Sequence, residues 1–522
     1  APEFVTMDSY FGLQQQGAHQ PVYIEDVDVI GTSLGHNVSQ ITDALAVYDL
    51  FIDLDSRLGA ERSEALMRSL LHLFDASATD PLDTYEYLVN GLCDIFQAGD
   101  AIAVAGDREQ LHRRISDIRE SEAFDAACRN ASVTLFPLFE VGNHGRVEPL
   151  SAENVANAAL DNNDGLAYRY ALVTVLPFAV IGEPGLFDAH NANGELDLFD
   201  EETGRGALTK QYLADRAIFL EKHISFAAID TELKTIQPEN VVFEDRQFDI
   251  SLTEVSIGGA SGESRRLTFG SDAEESGETR IEGGARNDHL YGEGGNDEII
   301  GNDGDDYLEG GAGNDKLAGG ANDDTILGGE GKDDIDGGRG SDRIDGGGGI
   351  DHLAGGAQND TLFGGQGDDV LEGGPGLLDR LEGGEGRDRY IYRSGDDGFI
   401  LKDSDGEGEV VVIDGADNSI VAGQSPIRPV AGAPGLHEDA QGLRYLLIEK
   451  PGLPAGSGDL MIVIPDAGTI LVEGFNEGAL GIRLDSVGEP PVTGVVQQLE
   501  EMPGQNQKLS GDGLVSVQGS AV

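Results

Sequence analysis

Residues 283–372 read, nine at a time, GGARNDHLY, GEGGNDEII, GNDGDDYLE, GGAGNDKLA, GGANDDTIL, GGEGKDDID, GGRGSDRID, GGGGIDHLA, GGAQNDTLF and GGQGDDVLE. A ten-residue unit, GGPGLLDRLE at 373–382, and a final GGEGRDRYI at 383–391 make twelve units in all. The sixth place of every nine-residue unit is Asp. The eighth is Leu or Ile through the ten consecutive units and Tyr390 in the last. A Gly/Asp-rich disordered linker has no reason to hold Asp and Leu in phase, so the period is structural.

Each place in the unit has a physical reading. The Gly pair and the third Gly permit the positive backbone angles of a tight turn and let carbonyls crowd inward. One Asp then adds a carboxylate to a ring of backbone carbonyls, an all-oxygen site suited to Ca²⁺. The apolar eighth residue falls on a short strand and points inward. One unit makes one turn and one strand, so two make a coil. Asp288, Asp306, Asp324, Asp342 and Asp360, spaced by 18, therefore stack along one edge. Asp297, Asp315, Asp333, Asp351 and Asp369 stack along the other, and Asp388 follows beyond the irregular unit. These eleven are the candidate metal ligands.

This array resembles the RTX family (repeats-in-toxin, hemolysin-type calcium-binding proteins), whose repeat is GGxGxDxUx with U apolar. The resemblance implies a parallel β-roll with Ca²⁺ shared between neighbouring turns. Departures are expected to weaken some sites: Glu293 and Asn302 replace the second Gly, and Arg286, Asn322 and Gln358 the fourth. Pro375 and the extra residue disturb the eleventh unit. The segments RSGDDGFILKDSDGEGEVVVIDG (393–415) and LVEGFNEGALGIRL (471–484) resemble the region that closes such arrays in large secreted proteins. GDREQLHRRISDIRESEAF (106–124), LVTVLPFAV (172–180) and YLADRAIFLEKHI (212–224) look like the helical region that precedes them, in lipase-like members among others.

Charge fixes what the array does without metal. It holds 26 acidic and 8 basic side chains, a net of −18, with 33 Gly. Its interior is one thin file of Leu and Ile, too little to offset ordering costs of roughly 1–2 kcal/mol per residue. Without cation it is expected to be a self-repelling coil. About nine Ca²⁺ would cancel the charge, and their binding free energy becomes folding free energy. Over the whole chain 96 acidic side chains face 34 basic ones, a net of −62, which excludes a partner rich in phosphate.

The rest of the chain reads as a multidomain α + β protein. Residues 5–240 form a mainly helical domain, with helices expected at 41–58, 62–74, 81–96, 108–129, 153–180 and 210–223, and a buried strand at 133–139. A β-rich lead-in covers 241–282, with strands at 255–257 and 266–269. The β-roll covers 283–391, a β-rich C-terminal domain 392–486, and a mobile tail 487–522. No window of 18 apolar residues offers a membrane span, and the N-terminus lacks the basic-then-apolar layout of a cleaved signal.

Three further features compete for a role. Gly31-Thr32-Ser33-Leu34-Gly35 fits GxSxG, which would make Ser33 the nucleophile of an α/β-hydrolase. With 76 Gly in 522 residues the pattern also arises by chance, and a surface or helix-cap Ser is the plainer reading. Only 30 residues precede it to build an oxyanion hole, and His112, His144, His190 and His223 are equal candidates for its base. Residues 189–200, AHNANGELDLFD, partly resemble an EF-hand loop centred on Gly194, but lack its first Asp and its bidentate Glu. Cys93 and Cys128 suit buried thiols.

The function expected is that of a secreted, extracellular or cell-surface calcium-binding protein, or the C-terminal part of a larger one. Its array would fold on several Ca²⁺ after export. The resemblance implies type I secretion machinery as the partner. A lipase or esterase, with Ser33 or an upstream domain as its centre, and an adhesive surface module are the alternatives.

Overall fold

The computed structural model describes residues 46–47, 50, 85–98, 108–125, 134–141, 147–161, 164–182, 185–200, 205–227, 241–254, 264–273, 275 and 280–484 apart from 377, 434, 455 and 466. Ser33, the helix expected at 62–74, the strand at 255–257, Cys128 and the tail lie outside them. The chain divides into two units, 1–235 with 248–250, and 236–247 with 251–522.

In the first unit, helix α1 (Tyr85–Ile95) forms where the apolar spacing predicts it, and helix α2 (Arg108–Glu120) starts where expected but breaks at Ser121, short of 129. Leu88, Leu92 and Phe96 on one, and Leu111, Ile115 and Ile118 on the other, are buried. The ring of Phe96 meets that of Phe124 edge-on at 5.3 Å. The expected helix at 153–180 is instead two helices and a strand: α3 (Ala152–Ala159), α4 (Gly165–Val173) and the strand Phe178–Ile181. The break falls between Leu160 and Gly165, where an Asp side chain competes for a backbone hydrogen bond. There the Asp164 N–H turns to Asp161 Oδ1 at 3.4 Å. Val175, at φ 54°, ends α4. The expected strand at 133–139 appears as Thr134–Pro137, antiparallel to Phe178–Ile181, with Phe139–Val141 paired separately to Val147–Pro149. Helix α5 (Lys210–Ala227) runs over 210–223 and beyond. No described helix is long and apolar enough to cross a membrane.

The second unit is a parallel β-solenoid. Its strands alternate between two sheets, of nine and fifteen strands. Through the regular units each strand pairs in parallel with the one two units on, 18 residues away: Lys316 sits opposite Asp334, and Thr325 opposite Arg343. Between the sheets runs one file of side chains, Leu290, Ile299, Leu308, Leu317, Ile326, Ile335 and onward to Leu381 and Tyr390, each 1% exposed or less. Nine is odd, yet the eighth residue always points inward, because the turn resets the alternation of each strand.

The coil extends past the nonapeptides at both ends. Before them, Val241–Asp245 pairs in parallel with Arg265–Ser271, which pairs with His289–Glu293. After them, Phe399–Lys402 pairs in parallel with Thr469–Asn476, the last strand of an antiparallel meander. The apolar file continues into it through Leu401, Val472 and Ile462 without a break. The sheet thereby passes from the repeat turns into antiparallel pairing.

One repeat offers two environments to the same residue type. Ile335 is 1% exposed at the eighth place, whereas Ile350 is 53% exposed at the fifth. Ile335→Ala is expected to cost about 2–5 kcal/mol, and Ile350→Ser less than about 0.5 kcal/mol. Urea unfolding of the strand signal, with calcium present, checks this. Equal costs would contradict the inward file.

Candidate metal centre

The sixth-place Asp residues form two stacked files, as their spacing predicts. Each backbone N–H donates to Oδ1 of the Asp one coil further on: Asp306 to Asp324 at 2.8 Å, Asp315 to Asp333 at 2.8 Å, Asp342 to Asp360 at 2.8 Å. Asp288, Asp297, Asp324, Asp333, Asp351 and Asp369 make the same bond. A second ladder at the fifth place runs the opposite way, with Ser341 N–H donating to Asp323 Oδ1 at 2.8 Å and Lys332 N–H to Asn314 Oδ1 at 2.8 Å. Every turn is tied to both neighbours.

The other carboxylate oxygen is left over. Oδ2 of Asp297, Asp306, Asp315, Asp324, Asp333, Asp342, Asp351, Asp360, Asp369 and Asp388 is buried with no hydrogen-bond partner among the described residues. It lies against the first Gly of its own unit. A Cβ on Gly319 would stand 2.4 Å from Asp324 Oδ2 and 2.7 Å from the Gly337 carbonyl oxygen. Only glycine leaves that space, and what borders it is a carboxylate oxygen and a carbonyl oxygen from successive turns.

Burial makes these acids reluctant to ionise. It pushes Asp324 up to about 8, Asp306, Asp333, Asp342 and Asp369 to about 7, and Asp315, Asp351, Asp360 and Asp388 to about 6. Neighbouring carboxylates add to the rise at Asp324, and the backbone N–H bond opposes it. Once ionised, a row of buried carboxylates with idle oxygens needs a counter-charge. Among the described residues no three His, Cys, Asp or Glu side chains gather as a ligand group. A cation along either file would therefore meet one carboxylate per turn and backbone carbonyls. That oxygen-only donor set fits Ca²⁺ and not zinc or copper.

Asp288 stands apart from the other candidates. Its Oδ2 accepts from Gly284 N–H at 2.5 Å and its Oδ1 from Arg266 N–H at 2.6 Å, with the charges of Arg266 and Arg265 nearby. Its electrostatic need is already met in part.

Asp379 is a member of the file that the period alone leaves out. It is wholly buried, accepts Asp360 N–H on Oδ1 at 3.0 Å, and has an idle Oδ2; burial lifts it to about 7. The extra residue of the eleventh unit precedes Asp379, Leu378 is 42% exposed, and the register changes from 18 to 19, Thr361 opposite Arg380. The legible signal was the DRLE of 379–382, which matches the end of a regular unit. The irregular second and fourth places also hold the turn. Glu293, Asn302, Asn322 and Gln358 adopt φ of 73°, 80°, 82° and 90°, the left-handed angles of the Gly they replace.

The remaining candidates do not join this centre. At 189–200 the polar side chains are spent on one another: Asn191 accepts Leu196 N–H and donates to Asp197 Oδ1 at 2.9 Å, while Asn193 donates to Glu195. That is a polar turn. Cys93 is buried and its thiol pushed up to about 11 by that burial, which leaves it a packing residue.

The family model of the RTX calcium-binding nonapeptide repeat matches the chain in four copies, at 276–308, 309–344, 345–376 and 379–399. No curated protein matches the chain.

The raised acids fix the pH response of the metal-free array. The unfolded chain releases these protons near pH 4, the folded one only near 6–8. Folded array thus holds more protons across that window, and its stability is present below about pH 4 and lost as pH rises through 6–8. In chelator, lowering the pH from 8 to 5 is expected to raise the strand signal in circular dichroism. A flat or falling signal would contradict the buried files.

Proposed function

Because the chain is, through its repeats, a calcium-binding protein of the RTX type, we propose that Ca²⁺ binding to the two Asp files is what folds it, and that this happens after export. The observation that carries this reading is the row of buried carboxylate oxygens with no partner. At neutral pH the metal-free coil would bury a charge at each turn; with Ca²⁺ each pair of stacked turns gains a shared counter-charge. The residues assigned as ligands are Asp297, Asp306, Asp315, Asp324, Asp333, Asp342, Asp351, Asp360, Asp369, Asp379 and Asp388, with Asp288 a weaker contributor. When bound, the metal supplies charge neutralisation and a fixed distance between turns. The chain supplies the carbonyls and the Gly path that brings them close.

Such an array is a switch between two calcium levels. Each turn offers a single carboxylate, so a centre shared by two turns holds about two negative charges, fewer than a closed loop with many acids. Sites of that kind in extracellular modules bind near 10⁻⁴–10⁻³ M. At lower calcium the array remains extended by its own charge, a state that suits passage through the narrow channel of a type I machinery. Above the threshold it coils, because each turn makes the next site. The helical unit has apolar cores of its own, such as that of α1 and α2, and is expected to fold without calcium. These properties favour a secreted protein.

A calcium titration followed by strand signal tests the reading. It is expected to be sigmoidal with a midpoint between about 0.1 and 1 mM, and Mg²⁺, which holds its waters, is expected not to substitute. Asp324→Asn, at mid-array, should move the midpoint upward several-fold. Asp288→Asn should move it less, because that carboxylate already has two backbone donors and arginine neighbours. A midpoint below a micromolar, or equal action by Mg²⁺, would contradict folding after export.

A further inference from the structure

The metal-binding coil begins before the first nonapeptide. Gly270 precedes Glu275 by five residues, the interval between each first-place Gly and its sixth-place Asp. A Cβ on Gly270 would lie 2.3 Å from the Gly292 carbonyl oxygen, just as one on Gly292 would lie 2.4 Å from that of Gly310. Glu275 N–H donates to Asp297 Oδ1 at 2.7 Å, and Asp297 N–H to Asp315 Oδ1 at 2.8 Å. Glu298 N–H donates to the Glu275 carbonyl at 2.7 Å, and Lys316 N–H to the Asp297 carbonyl at 2.8 Å. By this interval and all three contacts Glu275 holds the sixth place of a degenerate turn. It stands 22 residues before Asp297, which hides it from a nine-residue period.

Its side chain has the same unmet need as the Asp files. Glu275 is 5% exposed; its Oε1 accepts the Ser271 hydroxyl at 2.7 Å, and its Oε2 has no hydrogen-bond partner among the described residues. Asp297, 2% exposed, likewise has an idle Oδ2, and the two carboxyl groups act directly on one another. Two adjoining buried carboxyls, each with an idle oxygen, would concentrate negative charge once both ionise. The other file supplies the contrast. There the equivalent place is Arg266, whose N–H donates to Asp288 Oδ1, and both oxygens of Asp288 have donors. One file opens on an arginine, the other on an acid.

We propose that Glu275 and Asp297 together hold a Ca²⁺ ion, in a site that opens the second Asp file ahead of its first nonapeptide site. Calcium fits because the donors are oxygens alone and a two-carboxylate site on a coil cannot enforce the small octahedron of Mg²⁺. The site would anchor the coil where the regular repeats have not yet begun. This rests on the reading of the array as calcium-binding, and the experiment separates the two.

The full chain is dialysed against radioactive calcium at saturating concentration, and bound ions are counted beside the strand signal. Glu275→Gln keeps the shape and removes the charge; it is expected to bind one ion fewer than wild type while keeping the strand signal. Glu275→Asp keeps the charge on a shorter arm, and is expected to keep the ion count with a several-fold weaker first-bound or last-bound step. That variant carries the test if Glu275→Gln does not fold. An unchanged count and affinity in Glu275→Gln, with wild type binding several ions, overturns this site and leaves the array intact. Glu275→Gln that gains strand signal in chelator without losing an ion also overturns it, since the pair then shares a proton. Wild type that binds no calcium overturns the array reading, and this site with it.

Discussion

Everything in the repeat unit follows from one constraint: a carboxylate is held inside a turn, with one oxygen bonded to a neighbouring backbone and the other unpaired. The bonded oxygen sets the direction of stacking, because each Asp N–H finds the Asp of the next coil. The idle oxygen sets the electrostatics. The first Gly follows from it too, since a side chain at Gly319 would collide with Asp324 Oδ2. Few folds place so many acids in their interior, and charges are almost never fully buried unless paired. A protein that does so at every turn depends on something outside its own sequence to complete it.

The apolar file and the acid files have different tasks. The Leu and Ile residues between the sheets give each coil a dry centre, but it is one side chain wide and cannot pay for ordering the turns. The files on the edges fix the pitch. Because they are tied coil to coil, an irregularity has to be absorbed locally, as the change of register before Asp379 shows: Leu378 goes outward, and Asp379 and Asp388 return to line. The meander of strands after Lys402 then continues the same apolar centre without calcium-type turns, and so ends the coil on ordinary β packing.

The array was almost wholly legible in the sequence, because its chemistry repeats at a fixed interval. Asp288 to Asp369 were placed in two files by counting 18, and the inward eighth residue by its apolar character. Counting failed where the chain kept the geometry and changed the interval. Asp379 sits behind one extra residue, and Glu275 behind four and with a longer side chain. Where Gly is replaced, Asn302 and Gln358 take up the left-handed turn themselves. In the helical unit, apolar periodicity found α1, α2 and α5 but ran through the break between Leu160 and Gly165. An apolar run such as Phe178–Ile181 fits a buried strand as well as a helix, and the pairing with Thr134–Pro137 decides between them. Ser33 lies outside the described residues.

The central claim is that the idle oxygens of the two files are metal ligands. Crystals of the protein grown with calcium, measured for anomalous scattering, test it most directly. The account predicts peaks along both edges of the coil, each about 2.3–2.6 Å from the Oδ2 of a sixth-place Asp and from backbone carbonyls of the adjoining turns. Files in which those oxygens meet only water or a shared proton, with calcium absent or scattered over the outer surface, would contradict it.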